Sequence, residues 1–177
     1  MVEASLVNFA ELGVLLVGVV IALFQLQGIK ETRQAELFMH IYESKNTHEN
    51  SVRWFKLDSW EWEDLDDWHR KYGKGASPEI EALPYEQFSI YDGLGMLVKE
   101  KIVDVNTVFN LMGSGIVIVW YKFETIIKWN RETIGACFLE HFEYIANEMI
   151  KMKKQKGFPL PIADLHPTST LHQELKT

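Results

Sequence analysis

An apolar segment near the N-terminus constrains this chain more than any other feature of its sequence. Residues 12–24 read LGVLLVGVVIALF and carry no polar side chain. Widening the segment to residues 6–26 adds only three polar interruptions, at Asn8, Glu11 and Gln25. As a helix, this wider segment is about 30 Å long, which matches the hydrocarbon core of a bilayer. The segment therefore predicts one transmembrane helix, and a buried helix of a globular domain is the alternative.

The charges around this segment predict its orientation. No Lys or Arg precedes it, whereas Lys30 and Arg33 follow it closely. Basic residues concentrate on the cytoplasmic side of a span, so we expect the N-terminus outside and the rest of the chain in the cytoplasm. A cleaved signal peptide needs a basic start and a cleavage site between small residues. Neither pattern is present here, so we expect residues 1–28 to remain as a single-pass membrane anchor.

Two small residues within the predicted span indicate a surface for helix pairing. Gly18 and Ala22 are four residues apart and fall on one helix face. Small side chains at this spacing let two helices approach closely inside lipid. Glycine and alanine are also common in spans that pair with nothing. The hypothesis is a partner that is another membrane protein or a second copy of this chain, in addition to membrane lipid.

Apolar residues recur at helical spacing in most of the remaining chain, so the sequence predicts an all-α fold. The transmembrane helix is expected to continue to about Ser44 and into a cytoplasmic multi-helix bundle formed by residues 29–157. A tail of residues 158–177 contains three prolines and is expected to be extended. The helices predicted after the first one span residues 54–72, 78–98, 104–112, 116–129 and 133–154. Gly73 is expected to end the first of these, Asp104 to cap the third, and residues 113–115 to break the helical pattern after it. Ile134 and Cys137 are expected to face inward in the last helix.

The most unusual composition lies in residues 58–72, DSWEWEDLDDWHRKY. Within this stretch, five acidic residues lie among Trp60, Trp62 and Trp68. One interpretation is a docking surface for a partner, because aromatic residues are enriched in protein interfaces. The other is an amphipathic helix whose tryptophans pack inward and whose acids are solvated. The second interpretation is the ordinary one, and the three tryptophans stay candidates for interaction.

No motif in the sequence predicts a catalytic, cofactor or metal site. Asp66 and His69 have the spacing of a metal-binding pair, but the second such motif of a di-metal bundle is missing. Cys137 and His141 lie one helical turn apart, without a recognisable orienting group for nucleophilic catalysis. The glycines of residues 93–95 lack the strand and the third glycine of a dinucleotide site, and within a helix they are expected to permit close packing instead. We therefore predict no cofactor and no catalytic residue.

Charge limits the partners of the chain and points to one basic cluster. The formal net charge is −7, and an acidic protein repels the phosphates of nucleic acids. Against this background, four lysines lie near the end of the last predicted helix, where cations interact favourably with the helix dipole. Contact with anionic lipid is the alternative interpretation. The four are Lys151, Lys153, Lys154 and Lys156.

Five segments in order resemble a family of small archaeal and bacterial proteins that is known only as a domain of unknown function with an N-terminal span. The segments are TRQAELFMHIYES, EWEDLDDWHRKYG, YDGLGMLVKEKIVDVNTVFNLM, WYKFETIIKWNRE and FEYIANEM. The resemblance covers residues 12–149 approximately. It implies a membrane-anchored helical protein and brings no activity or site residues.

Taken together, these features favour a non-enzymatic interaction module at a membrane. Such a module would act as an accessory or scaffolding subunit of a membrane protein complex. A membrane-bound enzyme or metal-binding helical protein is the first alternative. A signalling or stress effector is the second.

Overall fold

A computed structural model describes residues 2–73 and 75–160, with side chains from residue 13 onward. Over these residues the chain forms six helices and no strand, so the prediction of an all-α fold is confirmed. The predicted tail lies almost entirely outside the described residues. The helices are α1 (Val2–Lys45), α2 (His48–Asp58), α3 (Leu65–Tyr72), α4 (Pro78–Lys99), α5 (Val105–Ile134) and α6 (Glu140–Gln155).

The first compact unit of the chain comprises residues 1–44, and its described residues, from Val2 onward, form one helix. The predicted continuation of this helix to about Ser44 is confirmed, because α1 ends at Lys45. Every residue from 13 to 33 is exposed, including Leu15, Leu16 and Phe24, which are 59–71% exposed. An apolar helical segment in which every residue is exposed differs from the helices of a globular core.

The second unit comprises residues 45–177 and contains a helical bundle. Helices α4 and α5 both pack against α6, and α2 contacts α4. Aromatic rings fill the core between them. Phe88 of α4 lies 5.2 Å from the ring of Phe123 and 5.9 Å from that of Phe142, and Trp120 lies 5.3 Å from Phe142.

Helices α4 and α6 approach each other closely at Gly95. A Cβ atom on Gly95 would lie 2.0 Å from the backbone oxygen of His141. Glycine is therefore required at this position, because no rearrangement of side chains can relieve a contact with the backbone. The prediction that the helical glycines permit close packing is confirmed for Gly95 but not for Gly93, which has open space around it.

The prediction of one helix over residues 54–72 is wrong, because residues 59–64 separate α2 from α3. Asp64 starts a separate helix, because its carboxylate accepts a hydrogen bond from the Asp67 amide (2.8 Å) and caps α3. The predicted end at Gly73 is confirmed.

The Gly113-Ser114-Gly115 sequence was predicted to break a helix, yet α5 continues through it. Each glycine weakens a helix by about 1 kcal/mol relative to alanine. Packing outweighs this cost at Gly113, which is buried, and a Cβ there would be 3.3 Å from the Met149 sulfur of α6. The predicted cap at Asp104 is confirmed, because its carboxylate accepts a hydrogen bond from the Thr107 amide (2.8 Å).

The last helix was predicted to begin near Thr133, but α6 begins at Glu140. Residues 135–139 form a turn with positive φ angles at Gly135 (138°) and Leu139 (54°). Ile134 and Cys137, which were predicted to face inward, are exposed as a result.

Two side chains from outside the turn, one in α5 and one in α4, hold it in place. The Arg131 guanidinium donates to the carbonyl oxygens of Phe138 (2.8 Å) and Leu139 (3.1 Å), and it also pairs with Glu143. The Asp92 carboxylate of α4 accepts from the amides of His141 and Phe142, both at 3.0 Å. A side chain of α4 therefore caps the N-terminus of α6.

Gly95→Ala should lower the free energy of unfolding by about 1–3 kcal/mol, the usual cost of overpacking. Gly93→Ala is the matched control in the same helix. It should leave the stability unchanged or raise it by up to about 1 kcal/mol, because alanine favours helices. Denaturant titration followed by tryptophan fluorescence measures both. Equal stability of the two variants would contradict a close contact between α4 and α6.

Candidate functional site

The predicted pairing surface of α1 is open. Gly18 and Ala22 are both exposed, and apart from the adjoining backbone of α1 no described atom lies within 4 Å of a Cβ placed on Gly18. Nothing within this unit of the chain blocks the approach of another helix. Pairing through this face stays a prediction.

The three tryptophans of the acidic stretch are buried, with 6%, 5% and 1% of Trp60, Trp62 and Trp68 exposed. Trp60 stacks on the ring of Tyr72, with 4.1 Å between centroids. Trp62 lies 5.5 Å from the ring of Phe123 in α5. In this conformation, a partner at this surface would meet the exposed carboxylates of the stretch and not the indole rings. These carboxylates belong to Glu61, Glu63, Asp64 and Asp66.

Asp67 joins the segment between α2 and α3 to the start of α3. Its carboxylate accepts a hydrogen bond from the Glu63 amide (3.1 Å) and pairs with the Lys71 ammonium (2.7 Å) and with Arg70. The hydrogen bond from Lys71 is the main reason that the pKa of Asp67 is lowered. The network keeps this buried carboxylate charged and fixes the backbone that carries Trp62.

The residues weighed for chemistry do not converge. Within residues 2–73 and 75–160, no group of three or more His, Cys, Asp or Glu side chains is placed to hold a metal ion. His69 packs on the ring of Trp129 at 4.2 Å, and its Nε2 has no hydrogen-bond partner. Cys137 lies in the turn before α6, so the helical spacing expected between it and His141 is absent.

A cleft of about 320 Å³ lies between α5 and the C-terminal end of α6. The sequence indicated only the lysines of this region. The structure shows which of them face the cleft and adds the α5 side chains opposite them. The cleft is lined by Phe109, Asn110, Ser114, Lys153, Lys156 and Phe158.

Two of the four lysines at the end of α6 face this cleft. Lys153 is only 9% exposed, and its Nζ donates a hydrogen bond to the Ser114 hydroxyl (3.0 Å). The Nζ of Lys156 lies 4.4 Å from the centroid of the Phe109 ring. Neither lysine forms an ion pair with a carboxylate in the described part of the chain. By contrast, Lys151 is exposed and pairs with Glu148 at 3.5 Å.

Comparison with protein families gives a match over most of this chain. The profile of the family described as Domain of unknown function (DUF4760) matches residues 12–149, which is most of the sequence. The matched region runs from α1 into α6 and ends before Lys153. No curated protein and no solved structure matches the chain.

Trp62→Ala should lower the free energy of unfolding by about 3–5 kcal/mol, as should Trp120→Ala, because both rings are buried in the bundle. Phe55→Ala is the control, since this α2 side chain is 69% exposed. It should change the stability by less than about 0.5 kcal/mol. Thermal unfolding of the three variants tests this. A loss for Trp62→Ala as small as that for Phe55→Ala would mean that its ring is free to contact a partner.

Proposed function

The chain belongs to the family described as Domain of unknown function (DUF4760), and we propose that it is a membrane-anchored, non-enzymatic interaction module. In this proposal, α1 anchors the chain in lipid and the bundle of α2–α6 contacts a partner. The role is that of an accessory or scaffolding subunit of a membrane protein complex.

The exposed apolar surface of α1 carries the proposal. The segment Gly13–Lys45 is long and apolar enough to cross a membrane, and none of its most apolar window is buried. A core helix of a globular protein would have most of this surface covered. Exposing it to water costs about 25 cal/mol for each Å² of apolar area. Lipid removes this cost along the whole circumference of the helix.

Lys30 and Arg33 support an orientation with the N-terminus outside and the bundle in the cytoplasm. Cys137 is the only cysteine of the chain and is exposed. It therefore reports this topology directly, because a membrane-impermeant maleimide should label it only after the cells are lysed. Labelling in intact cells would show the opposite topology, with the bundle outside.

The proposed partner is another membrane protein or a second copy of the chain. Association inside lipid requires close packing, and the face of Gly18 and Ala22 permits it. The acidic surface of residues 61–66 offers a second contact outside the span. Two weak contacts on one chain reinforce each other, because the first raises the effective concentration for the second.

The double variant Val17→Arg/Ile21→Arg should lose membrane association. Each arginine at the centre of a span costs about 2.5–3.5 kcal/mol. Met39→Arg adds a charge to the same helix outside the apolar segment and should behave as wild type. Carbonate extraction followed by centrifugation measures the membrane-bound fraction. Release of the wild-type chain by carbonate would exclude an integral anchor.

Gly18→Leu should reduce the recovery of the partner in mild detergent roughly tenfold, which corresponds to about 1.4 kcal/mol of lost packing. The leucine holds two helix backbones apart without affecting insertion. Gly13→Leu is the control on a different face of the same helix, and it should retain the partner. Full recovery with Gly18→Leu would show that the span is only a tether, and residues 60–72 would become the next candidate surface.

A further inference from the structure

The cleft between α5 and α6 contains an unusual cation. Lys153 is nine-tenths buried, yet no described carboxylate neutralises it. Burying an ammonium group is costly unless it is paired, and lysines are rarely buried without a counter-charge. The Ser114 hydroxyl accepts one of the three N–H groups of Lys153, so two donors are left for another acceptor.

We infer that this cleft binds a phosphomonoester anion, held by Lys153 and Lys156. Such a group carries a charge of about −1.5 to −2 at neutral pH and has three acceptor oxygens. The charge matches the two ammonium groups. The Ser114 hydroxyl and the Asn110 amide supply neutral donors in the same cleft.

The size and the aromatic wall of the cleft favour an organic ligand over bare phosphate. A volume of about 320 Å³ lies within the range of small-molecule sites. The rings of Phe109 and Phe158, 6.2 Å apart, form an apolar side beside the cations. The phosphoryl group would contact the lysines, and the group that it esterifies would contact these rings.

Capping of α6 does not account for the position of the two lysines. The last carbonyl groups of the helix accept hydrogen bonds from backbone amides, at 3.0 Å from Lys156 to Met152 and at 2.9 Å from Phe158 to Lys153. The lysine side chains are therefore not needed as caps. Lys151 and Lys154 can satisfy the helix dipole from exposed positions.

A phosphomonoester has two sources in a cell, with the same recognition chemistry. One is the headgroup of a lipid such as phosphatidic acid, and the other is a soluble organic phosphate. The inference concerns the bundle alone and does not depend on the proposed membrane anchor. If the following test fails, the proposed anchor is unaffected. If the chain proves not to be membrane-anchored, the inference about the cleft is likewise unaffected.

The test uses the full chain in a neutral, non-ionic detergent. Binding of phenyl phosphate is measured by calorimetric titration, and thermal unfolding is compared in micelles that contain phosphatidic acid or phosphatidylcholine. The cleft variant is Lys153→Met/Lys156→Gln, in which methionine retains the apolar stem of the buried lysine. The control is Lys151→Gln/Lys154→Gln, which removes the same charge outside the cleft. Lys156→Gln alone covers the case that the cleft variant is unstable.

Saturable binding of phenyl phosphate that weakens at least tenfold in the cleft variant, but not in the control, supports a soluble ligand. A rise in melting temperature with phosphatidic acid alone, lost in the cleft variant, supports a lipid headgroup. Lys156→Gln should weaken either response by at least threefold. The inference is overturned if neither probe acts, or if the cleft and control variants respond alike.

Discussion

The bundle depends on the backbone contact between α4 and α6 at Gly95. With α4 held this close, the carboxylate of Asp92 reaches the free amides of His141 and Phe142. These amides lie at the start of α6, where no intrahelical acceptor exists. The same approach brings the ring of Phe142 against Phe88 and Tyr91. Gly95 thus permits both the cap at the start of α6 and the ring contacts between α4 and α6.

The sequence predicts those parts of the fold that depend on interactions between residues close together in the chain. The all-α class, the length of α1, the Asp104 cap and the end at Gly73 all follow from periodicity and capping. Two of the three wrong boundaries depend on contacts that the local sequence pattern does not contain. Met149 stabilises α5 across Gly113, and Arg131 with Asp92 delays the start of α6. The break at residues 59–64 had a local signal, since Asp64 is a good cap, but the tryptophan spacing obscured it.

The candidate sites also divide into features that the sequence indicates and features that depend on tertiary packing. Composition alone indicated a basic cluster at the end of the last helix, but side-chain direction separates Lys153 and Lys156, which line a cleft, from Lys151 and Lys154, which do not. The α5 residues opposite them, Phe109 and Ser114, carry no signal in the sequence. The acidic stretch shows the reverse case, in which a composition typical of an interface places its indole rings inside the bundle.

The Asp92 cap also has a consequence for the order of events during synthesis. Asp92 and His141 are 49 residues apart, so the apolar face of α4 leaves the ribosome well before the helix that covers it. At about 5–20 residues per second, this interval lasts several seconds. The apolar segment of α1 emerges earlier still. In the membrane-anchored module proposed above, insertion of α1 can therefore precede folding of the bundle, and the aromatic face of α4 stays uncovered until α6 has been made.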